Sequence, residues 1–368
     1  MQDSDNSALP LTVFQNLQQL SRIQENSFSE LKGLFPSERW HPWGYRRKDK
    51  SAYFTSIIIQ GLVQIQHLME AGEKELLEEM RMKACAGLPP FRNSHGLDRY
   101  NFWGTKPAGH FPNGKLFRHI PRLRPPDDAD DSVMIYQIQK RPAEEALWLK
   151  NHIDEYANGS RAWVSNCPEE YRELRAWCTF FCRDMPLGFD ACVISNIIFF
   201  NRLYNFEVNF KEQDSMRYLS LMLSNKDHLN RPQEVAPYYP EPATILFHLS
   251  RLLTFFQPEG LEGRRKQVVR DVEKMLLKPL RKMERLLLEI AWLHLTASMP
   301  PVFKGADRQE SFAFFVLPLT QEYEGGLLRW LARRRLSHIR FACPAHEIAL
   351  ELEKKILLRS IQKTGPSA

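Results

Sequence analysis

Apolar residues recur at helical spacing along most of the chain, and the alternation typical of half-buried strands is scarce. In residues 53–69, for example, Phe54, Ile58 and Leu62 fall on one face of a helix. About a dozen segments share this pattern and are long enough for ordinary helices. They are residues 11–23, 53–69, 73–84, 132–139, 143–156, 169–181, 191–204, 215–223, 242–256, 266–295, 311–335 and 345–360.

Proline and glycine separate these segments, as at Pro89-Pro90 and Pro300-Pro301. No composition break or low-complexity linker divides the chain, so the pattern predicts one all-α domain. We assign this domain to residues 41–360, with an N-terminal helical extension at 1–40 and a C-terminal tail at 361–368. Residues 91–126 are rich in aromatic side chains and lack helical pattern. A loop of that length inside a compact domain is usually functional.

Composition narrows the class of protein. The 368 residues are 43% hydrophobic, which is enough for a large core. The net charge of +6 is small, and Lys and Arg are interleaved with Glu, which argues against nucleic-acid binding. No apolar run approaches about 18 residues, so no membrane-spanning helix is expected. Six irregularly spaced cysteines favour reduced thiols and a cytoplasmic protein.

The segment from 264 to 285 is strongly basic and also keeps apolar residues at helical spacing. One interpretation is a solvated basic face on an outer helix. The other is peripheral contact with an anionic membrane surface, or with a lipid that carries a diphosphate.

The most informative stretch is residues 125–132, PPDDADDS, in which four aspartates follow a proline pair and precede an apolar run. Prolines are not tolerated inside a helix, so a helix is expected to begin just after them, with the acids in its first turn. Asp127 or Asp128 would serve as the N-cap, and the helix dipole favours acids there. One cap needs one acid, so capping leaves most of the run unexplained.

Two chemical interpretations remain for this run. Asp127, Asp128 and Asp131 spell DDxxD, the pattern that holds magnesium and diphosphate in prenyl-diphosphate synthases, since magnesium prefers oxygen ligands. Those enzymes carry a second acidic motif, and none follows here. Alternatively, crowded carboxyls raise one another's pKa, so that one of them stays protonated. In an apolar cavity such a group acts as a general acid toward an alkene or epoxide.

At this run the chain resembles the α/α-toroid superfamily of squalene-hopene cyclases, class II terpene cyclases and protein prenyltransferase β-subunits. Residues 128–132, DADDS, are similar to the DxDD-Thr/Ala motif of class II terpene cyclases. The resemblance implies that Asp130 is the proton donor and that Asp128 and Asp131 are its supporting acids. It also implies a single (α/α)6 toroid, with an inner ring of helices inside an outer ring.

Further segments resemble that superfamily: residues 51–59, 189–196 and 238–242 are similar to inner-helix starts, and residues 100–103 to its aromatic loops. The resemblance implies a substrate cavity formed by these segments, in which aromatic rings stabilise carbocations by cation–π attraction. The residues expected in the cavity are Tyr100, Phe102, Trp103, Tyr238, Tyr239, Asp190 and Asn196.

Prenyltransferase β-subunits bind zinc through an Asp-x-Cys pair and a distant histidine. Asp190, Cys192 and His248 supply the same ligand types and form the alternative metal site. The simpler interpretation of His248 is a core or cavity-lining histidine.

The leading hypothesis is therefore a class II terpene cyclase-like protein that protonates a hydrophobic isoprenoid through Asp130. It needs no cofactor for that step, and magnesium would assist if the substrate carries a diphosphate. The alternatives are a non-catalytic toroid that binds a lipid or a protein, and a metal-dependent prenyltransferase relative.

Overall fold

The computed structural model describes residues 12–27, 32–110, 114–120, 124–182, 187–318 and 334–364, together with Leu327 and Trp330. These residues form a mostly helical protein with a small antiparallel sheet. The helices are α1 (Val13–Glu25), α2 (Tyr53–Gln64), α3 (Ala71–Gly87), α4 (Ala129–Ile138), α5 (Ala143–Glu155), α6 (Ala191–Leu203), α7 (Phe210–Asn225), α8 (Asp227–Asn230), α9 (Pro232–Val235), α10 (Pro242–Phe255), α11 (Arg264–Leu276), α12 (Lys282–Thr296) and α13 (Pro344–Thr364).

Six helices contact one another in a closed cycle. Helix α2 packs on α4, α4 on α6, α6 on α10, α10 on α12, α12 on α13, and α13 on α2 again. Other helices pack against this cycle from neighbouring positions: α3 on α2 and α4, α5 on α4, α7 on α6, and α11 on α10 and α12. Helix α1 packs against α3 and α13.

The sequence explains which helices lie inside the cycle. Helix α2 is apolar around its circumference and is buried continuously from Tyr53 to Leu62. A helix that is hydrophobic on all sides needs neighbours on all sides. Helix α11 instead buries only one face, with Val268, Val272 and Leu276 inward. It therefore packs on the outside.

The starts of the six helices in the cycle lie at the same end of the protein. Tyr53 opens α2 and its ring centroid lies 6.0 Å from that of Tyr239, just before α10. Arg281, the N-cap of α12, pairs with Glu241, the N-cap of α10, at 2.7 Å. The ring of His346, in the first turn of α13, packs against the ring of Phe54, with 5.6 Å between the ring centroids. The N-terminal dipoles of these helices thus meet at one end.

The same end carries the sheet. Its strands are β1 (Ser37–His41), β2 (Tyr45–Asp49), β5 (Phe315–Pro318) and β6 (His338–Ala342), in the order β2-β1-β6-β5 with antiparallel pairing throughout. Two shorter strands, β3 (Tyr100–Asn101) and β4 (Asp127–Asp128), pair separately. Phe315 opposes Phe341 across β5 and β6 and stacks on Phe102 at 5.1 Å and on Tyr53 at 5.1 Å.

A buried group of polar and charged side chains joins helices of the cycle. Arg251 of α10 forms a buried ion pair with Glu353 of α13 at 2.6 Å, and His294 of α12 contacts the same carboxylate at 2.8 Å. Gly61 of α2 makes room for this group, because a Cβ atom there would lie 2.6 Å from an Arg251 guanidinium nitrogen. Buried ions of this kind need such partners to be tolerated.

The prediction of a mostly helical protein is confirmed, but the protein is not all-α, since the four-stranded sheet is present. Residues 169–181 were expected to be helical and form only a 3-10 turn at Glu169–Tyr171. The extended chain beyond it is held by the Asn158 side chain, which donates to the carbonyls of Arg172 and Leu174 at 2.8 and 2.7 Å. Tertiary hydrogen bonds override helical pattern here.

Two other predicted helices differ from the structure. Residues 266–295 form α11 and α12 rather than one helix, because Pro279 lies between them. The predicted helix at 311–335 contains the strand β5, and most of its remainder lies outside the described residues. The predicted boundary at residue 40 falls within β1, and residues 1–11 and 365–368 are also outside the described part.

Candidate functional site

The acidic run forms the junction between β4 and α4. Asp128 is the N-cap, and its Oδ1 accepts the backbone N–H of Asp131 at 2.7 Å. The Ala129 N–H donates to the Thr179 carbonyl at 2.9 Å, which ties the junction to the extended segment after residue 171. Ser132 donates to the Asp128 carbonyl at 2.7 Å and secures the first turn. The acids are therefore held on a rigid, buried helix start.

Asp127 lies apart from the other three aspartates. Its Oδ2 accepts from Arg99 at 2.7 Å, forming a largely buried ion pair, and Asn93 and Asn101 also donate to its carboxylate. With its oxygens occupied in this way, Asp127 serves to fix the loop around residue 99 to the helix start.

Asp130 is buried, and both of its oxygens accept hydrogen bonds from uncharged side chains. Asn196 of α6 donates to Oδ1 at 2.7 Å, and the Tyr239 hydroxyl donates to Oδ2. Asn196 Oδ1 in turn lies 3.1 Å from Nδ1 of His248 on α10. Because the Asn196 amide nitrogen donates to Asp130, its oxygen faces His248 as an acceptor, and His248 therefore carries its proton on Nδ1. Three helices of the cycle thus converge on one carboxyl group.

Burial shapes the electrostatics of this group. It raises the pKa of Asp130, against the two hydrogen bonds from Tyr239 and Asn196, which lower it. Burial and the charge of Asp130 raise the pKa of Asp131 to about 8. Burial and the charge of Asp131 raise the pKa of Asp128 well above its ordinary value. Asp131, with a pKa of about 8, therefore keeps its proton at neutral pH, and the pKa values of Asp128 and Asp130 are displaced in the same direction.

Asp131 has a further feature. Its Oδ1 is buried and has no hydrogen-bond partner within the described part of the chain. A protonated carboxyl tolerates that position better than a carboxylate, in line with the raised pKa.

The three acids face a narrow cavity of about 70 Å³. A volume of this size admits several water molecules. Aromatic side chains are the largest group in its wall, which also contains Asn166, Thr179, Gln233 and Glu234 besides the three acids. The aromatic residues that line it are Tyr53, Phe102, Trp103, Phe180, Phe189, Tyr238, Tyr239 and Phe315.

Four of the residues expected in the cavity line it, namely Phe102, Trp103, Tyr238 and Tyr239. Tyr100 does not, because its hydroxyl reaches Gln139 and Arg141 at 3.4 and 3.2 Å, near the opposite end of α4.

Asn196 and Asp190 support the cavity from behind rather than lining it. Asn196 holds Asp130, as described above. Asp190 is the N-cap of α6, where it accepts the N–H groups of Cys192 at 2.8 Å and Val193 at 3.3 Å. Its other oxygen accepts the Tyr238 N–H at 3.0 Å. These backbone donors explain why Asp190 is buried, and burial raises its pKa to about 7.

The residues of the alternative zinc site do not form a ligand set. The carboxylate oxygens of Asp190 accept backbone N–H groups, and His248 bonds to Asn196 through Nδ1. Burial raises the pKa of the Cys192 thiol well above its ordinary value, which disfavours the thiolate that zinc binds. Among the described residues, no group of three or more His, Cys, Asp or Glu side chains is arranged to hold a metal ion.

The DDxxD aspartates also face different spaces. Asp128 and Asp131 line the aromatic cavity, whereas Asp127 lines a second, larger cavity of about 880 Å³. The two cavities share Trp103, Pro125 and Pro126 as a common wall. Basic side chains surround the second one, including Arg99, Lys106, Arg118 and Arg124.

Sequence reasoning missed part of the aromatic wall. Phe315 lies on β5, in a segment predicted to be helical, although the apolar run 313–317 followed by Pro318 is also compatible with a short strand. Phe180 lies in the extended segment that was expected to form a helix.

The basic segment 264–285 lies on α11 and at the start of α12. Arg265 donates to the carbonyls of Leu253 and Leu295 at 2.8 and 2.6 Å, so part of the positive charge secures neighbouring helix ends. Within the described residues, no helix is long and apolar enough to cross a membrane.

Comparisons with protein-family models, with curated proteins and with solved structures give no match for this chain.

Proposed function

We propose that the protein is a general-acid catalyst of the class II terpene cyclase type, in which Asp130 protonates a hydrophobic isoprenoid. The observation that carries this proposal is the burial of three neighbouring carboxyls with raised pKa values against an aromatic cavity. Carboxyls that serve only as caps need neither the cavity nor the retained protons.

The helix packing supports the toroid part of this proposal. The closed cycle of α2, α4, α6, α10, α12 and α13 corresponds to the inner ring of an (α/α)6 toroid, and α3, α5, α7 and α11 to members of its outer ring. The cavity lies at the end of the cycle where the helices begin, so one face of the fold gathers the functional side chains.

The proposed step begins with protonated Asp130. Its O–H bond breaks as a C–H bond forms on the substrate alkene, which leaves the positive charge on carbon. The carboxylate that remains accepts from Tyr239 and Asn196, so its developing charge is stabilised by donors already in position. The final carbocation loses a proton to water, and the Asp130 carboxylate takes up a proton from water, which restores the acid and balances the reaction.

Aromatic rings suit the other half of this chemistry. Tyr53, Phe102 and Phe315 stack together beside the acids and carry no group that would trap a carbocation as readily as water does. The faces of such rings attract cations. Aromatic rings at these positions therefore stabilise positive charge on carbon.

Asp130→Asn tests the proposal. The substitution keeps the side-chain shape but removes the transferable proton. With polyprenyl hydrocarbons, their epoxides and prenyl diphosphates as substrates, and product analysis by gas chromatography and mass spectrometry, we expect product formation to fall about 10²–10⁴-fold.

The matched control is Asp271→Asn. Asp271 is also a buried carboxyl, but it lies on α11 and contacts His228 at 3.2 Å. The Asp271→Asn substitution should leave the rate of product formation near that of the wild type. Absence of product from the wild-type protein with all these substrates would favour a non-catalytic toroid that binds a lipid or a protein. Stoichiometric zinc in the purified protein, removed by Cys192→Ala, would favour a prenyltransferase relative.

A further inference from the structure

The segment from residue 99 to 126 has an excess of positive charge. It contains no Asp or Glu. It contains six basic residues, Arg99, Lys106, Lys115, Arg118, Arg122 and Arg124. Unlike the basic segment 264–285, in which acids are interspersed, this segment holds positive charge alone.

Within this segment, residues 114–120 form a compact turn. Gly114 and His110 exchange backbone hydrogen bonds at 2.7 and 2.9 Å, and the Ile120 N–H donates to the Phe117 carbonyl at 3.0 Å. Arg124 anchors the turn from outside by donating to the Arg118 carbonyl at 2.9 Å. The turn thus has its own hydrogen bonds and presents its side chains outward.

Three exposed side chains of this turn are apolar, and basic residues lie beside them. Leu116 is 78% exposed, Phe117 47% and Ile120 45%. Lys115 lies before them and Arg118 between them. Three bulky apolar side chains displayed on one short turn are unusual for a surface that faces only water.

In the part of the chain that the structure describes, four cations near the turn have no carboxylate partner. Among the described residues, Lys106, Lys115, Arg118 and Arg124 form no ion pair, whereas Arg99 pairs with Asp127 at 2.7 Å. Elsewhere on the surface, basic residues are commonly paired, as Arg46 is with Glu38 and Lys282 with Glu347. The segment presents positive charge that no acid of its own neutralises.

We propose that the turn 114–120 docks the protein on an anionic lipid bilayer. Leu116, Phe117 and Ile120 would enter the boundary between headgroups and acyl chains, and Lys115 and Arg118 would contact lipid phosphates. Buried apolar area and attraction to anionic lipids together set the strength of this kind of binding.

This location differs from the one that the sequence indicated. Helix α11 is basic, but Val268, Val272 and Leu276 face the protein core and are not free to enter a bilayer. Arg264 and Arg265 of α11 bond to Ser220 and to backbone carbonyls. Charge without available apolar side chains gives weaker membrane attachment than the turn provides.

The position of the turn also fits the proposed function, on which this last point rests. Arg118, at the turn, lines the larger cavity, and that cavity shares Trp103, Pro125 and Pro126 with the aromatic cavity beside Asp130. The turn thus lies beside a cavity that adjoins the one facing the acids. Membrane docking itself does not depend on catalysis.

Sedimentation with vesicles tests the docking. The full chain is mixed with vesicles of phosphatidylcholine alone or with phosphatidylglycerol added, and the bound fraction is measured. We expect binding only to the anionic vesicles. The triple variant Leu116→Ser, Phe117→Ser and Ile120→Ser should lose more than about tenfold in vesicle affinity, since it removes the inserted apolar groups. Because all three side chains are exposed, thermal unfolding should be nearly unchanged.

Two controls within the chain sharpen the comparison. Met299→Ser with Val302→Ser removes apolar side chains that are 64% and 78% exposed elsewhere, and should not alter binding. Lys266→Gln with Arg270→Gln and Lys274→Gln tests α11, and should reduce binding much less than the turn variant does.

Three results would overturn the proposal: equal vesicle binding by the turn variant and the wild type, equal binding to neutral and anionic vesicles, or saturable binding of inorganic diphosphate without vesicle binding. Vesicle binding by a wild-type protein that forms no product would leave docking intact and count only against the proposed catalysis.

Discussion

A buried aspartate lies in the first turn of α4 and another at the start of α6, Asp130 and Asp190. The two carboxyl groups accept hydrogen bonds from different kinds of donor. Asp190 accepts three backbone N–H groups, from Cys192, Val193 and Tyr238. Asp130 accepts only from the side chains of Asn196 and Tyr239, and it faces a cavity. Backbone donors cannot be withdrawn without unfolding, so Asp190 is built into the fold. Side-chain donors allow the carboxyl of Asp130 to change its protonation state while the backbone stays in place.

The largest effect expected from this contrast is on stability. Asp190→Ala leaves three buried N–H groups without an acceptor, and we expect the free energy of unfolding to fall by about 3 kcal/mol. Asp130→Ala leaves two side chains that can reorient, and should lower it by about 1 kcal/mol. Urea unfolding measures both. Equal losses would remove the distinction between a structural and a functional aspartate.

The next effect is on the pH dependence of stability. The pKa of Asp131 is raised to about 8, so the folded protein binds more protons than the unfolded chain between the ordinary aspartate pKa and about 8. The contribution of Asp131 to the free energy of unfolding is fully present at low pH and is lost as pH rises toward 8. Over this range the free energy of unfolding falls by up to about 1.4 kcal/mol per pH unit for one proton.

Asp131→Asn should remove that slope, and urea unfolding between pH 6.5 and about 8 checks it. Below this window, His248 and His346 act in the opposite direction, because burial lowers the pKa of each to about 3. Asp190, with a pKa of about 7, contributes a slope of the same sign as Asp131, and that slope should survive in the variant. An unchanged slope in Asp131→Asn would mean that the crowded acids do not share retained protons.

The smallest effect concerns a single hydroxyl. Tyr239→Phe removes a donor to Asp130, so the pKa of Asp130 should rise further while the free energy of unfolding falls by about 1 kcal/mol. Tyr218→Phe is the matched control, because its buried hydroxyl donates to the Val235 carbonyl at 2.9 Å, remote from Asp130. The control should lose similar stability without moving the carboxyl stretching bands in infrared titration. Identical titrations in the two variants would contradict the role given to Tyr239.

Local sequence signals predict the start of α4 well. Two prolines, a capping acid and an apolar run are local signals, and the helix begins at Ala129 behind the N-cap Asp128, as the proline pair and the acids predict, whereas the apolar pattern alone began at 132. The partners of Asp130 have no local signal. Asn196 and Tyr239 are 66 and 109 residues away from it along the chain, and only the packing of α6 and α10 on α4 brings them near.

The sheet was missed for a similar reason. Residues 338–342 form a short run, and they become a strand by pairing with β1, some 300 residues earlier. Strand propensity depends on such partners more than helix propensity does. Membrane contact through 264–285 stays a prediction, and the inward orientation of Val268 and Val272 is a property of packing.

The ion group formed by Arg251, Glu353 and His294 ties together α10, α13 and α12 of the helix cycle. All three side chains are buried, so the loss of one of them would leave its partners unsatisfied in the protein interior. None of the three lines the cavity beside Asp130. A substitution in this group would therefore act on the candidate site at a distance, through the packing of helices that begin at the same end of the protein.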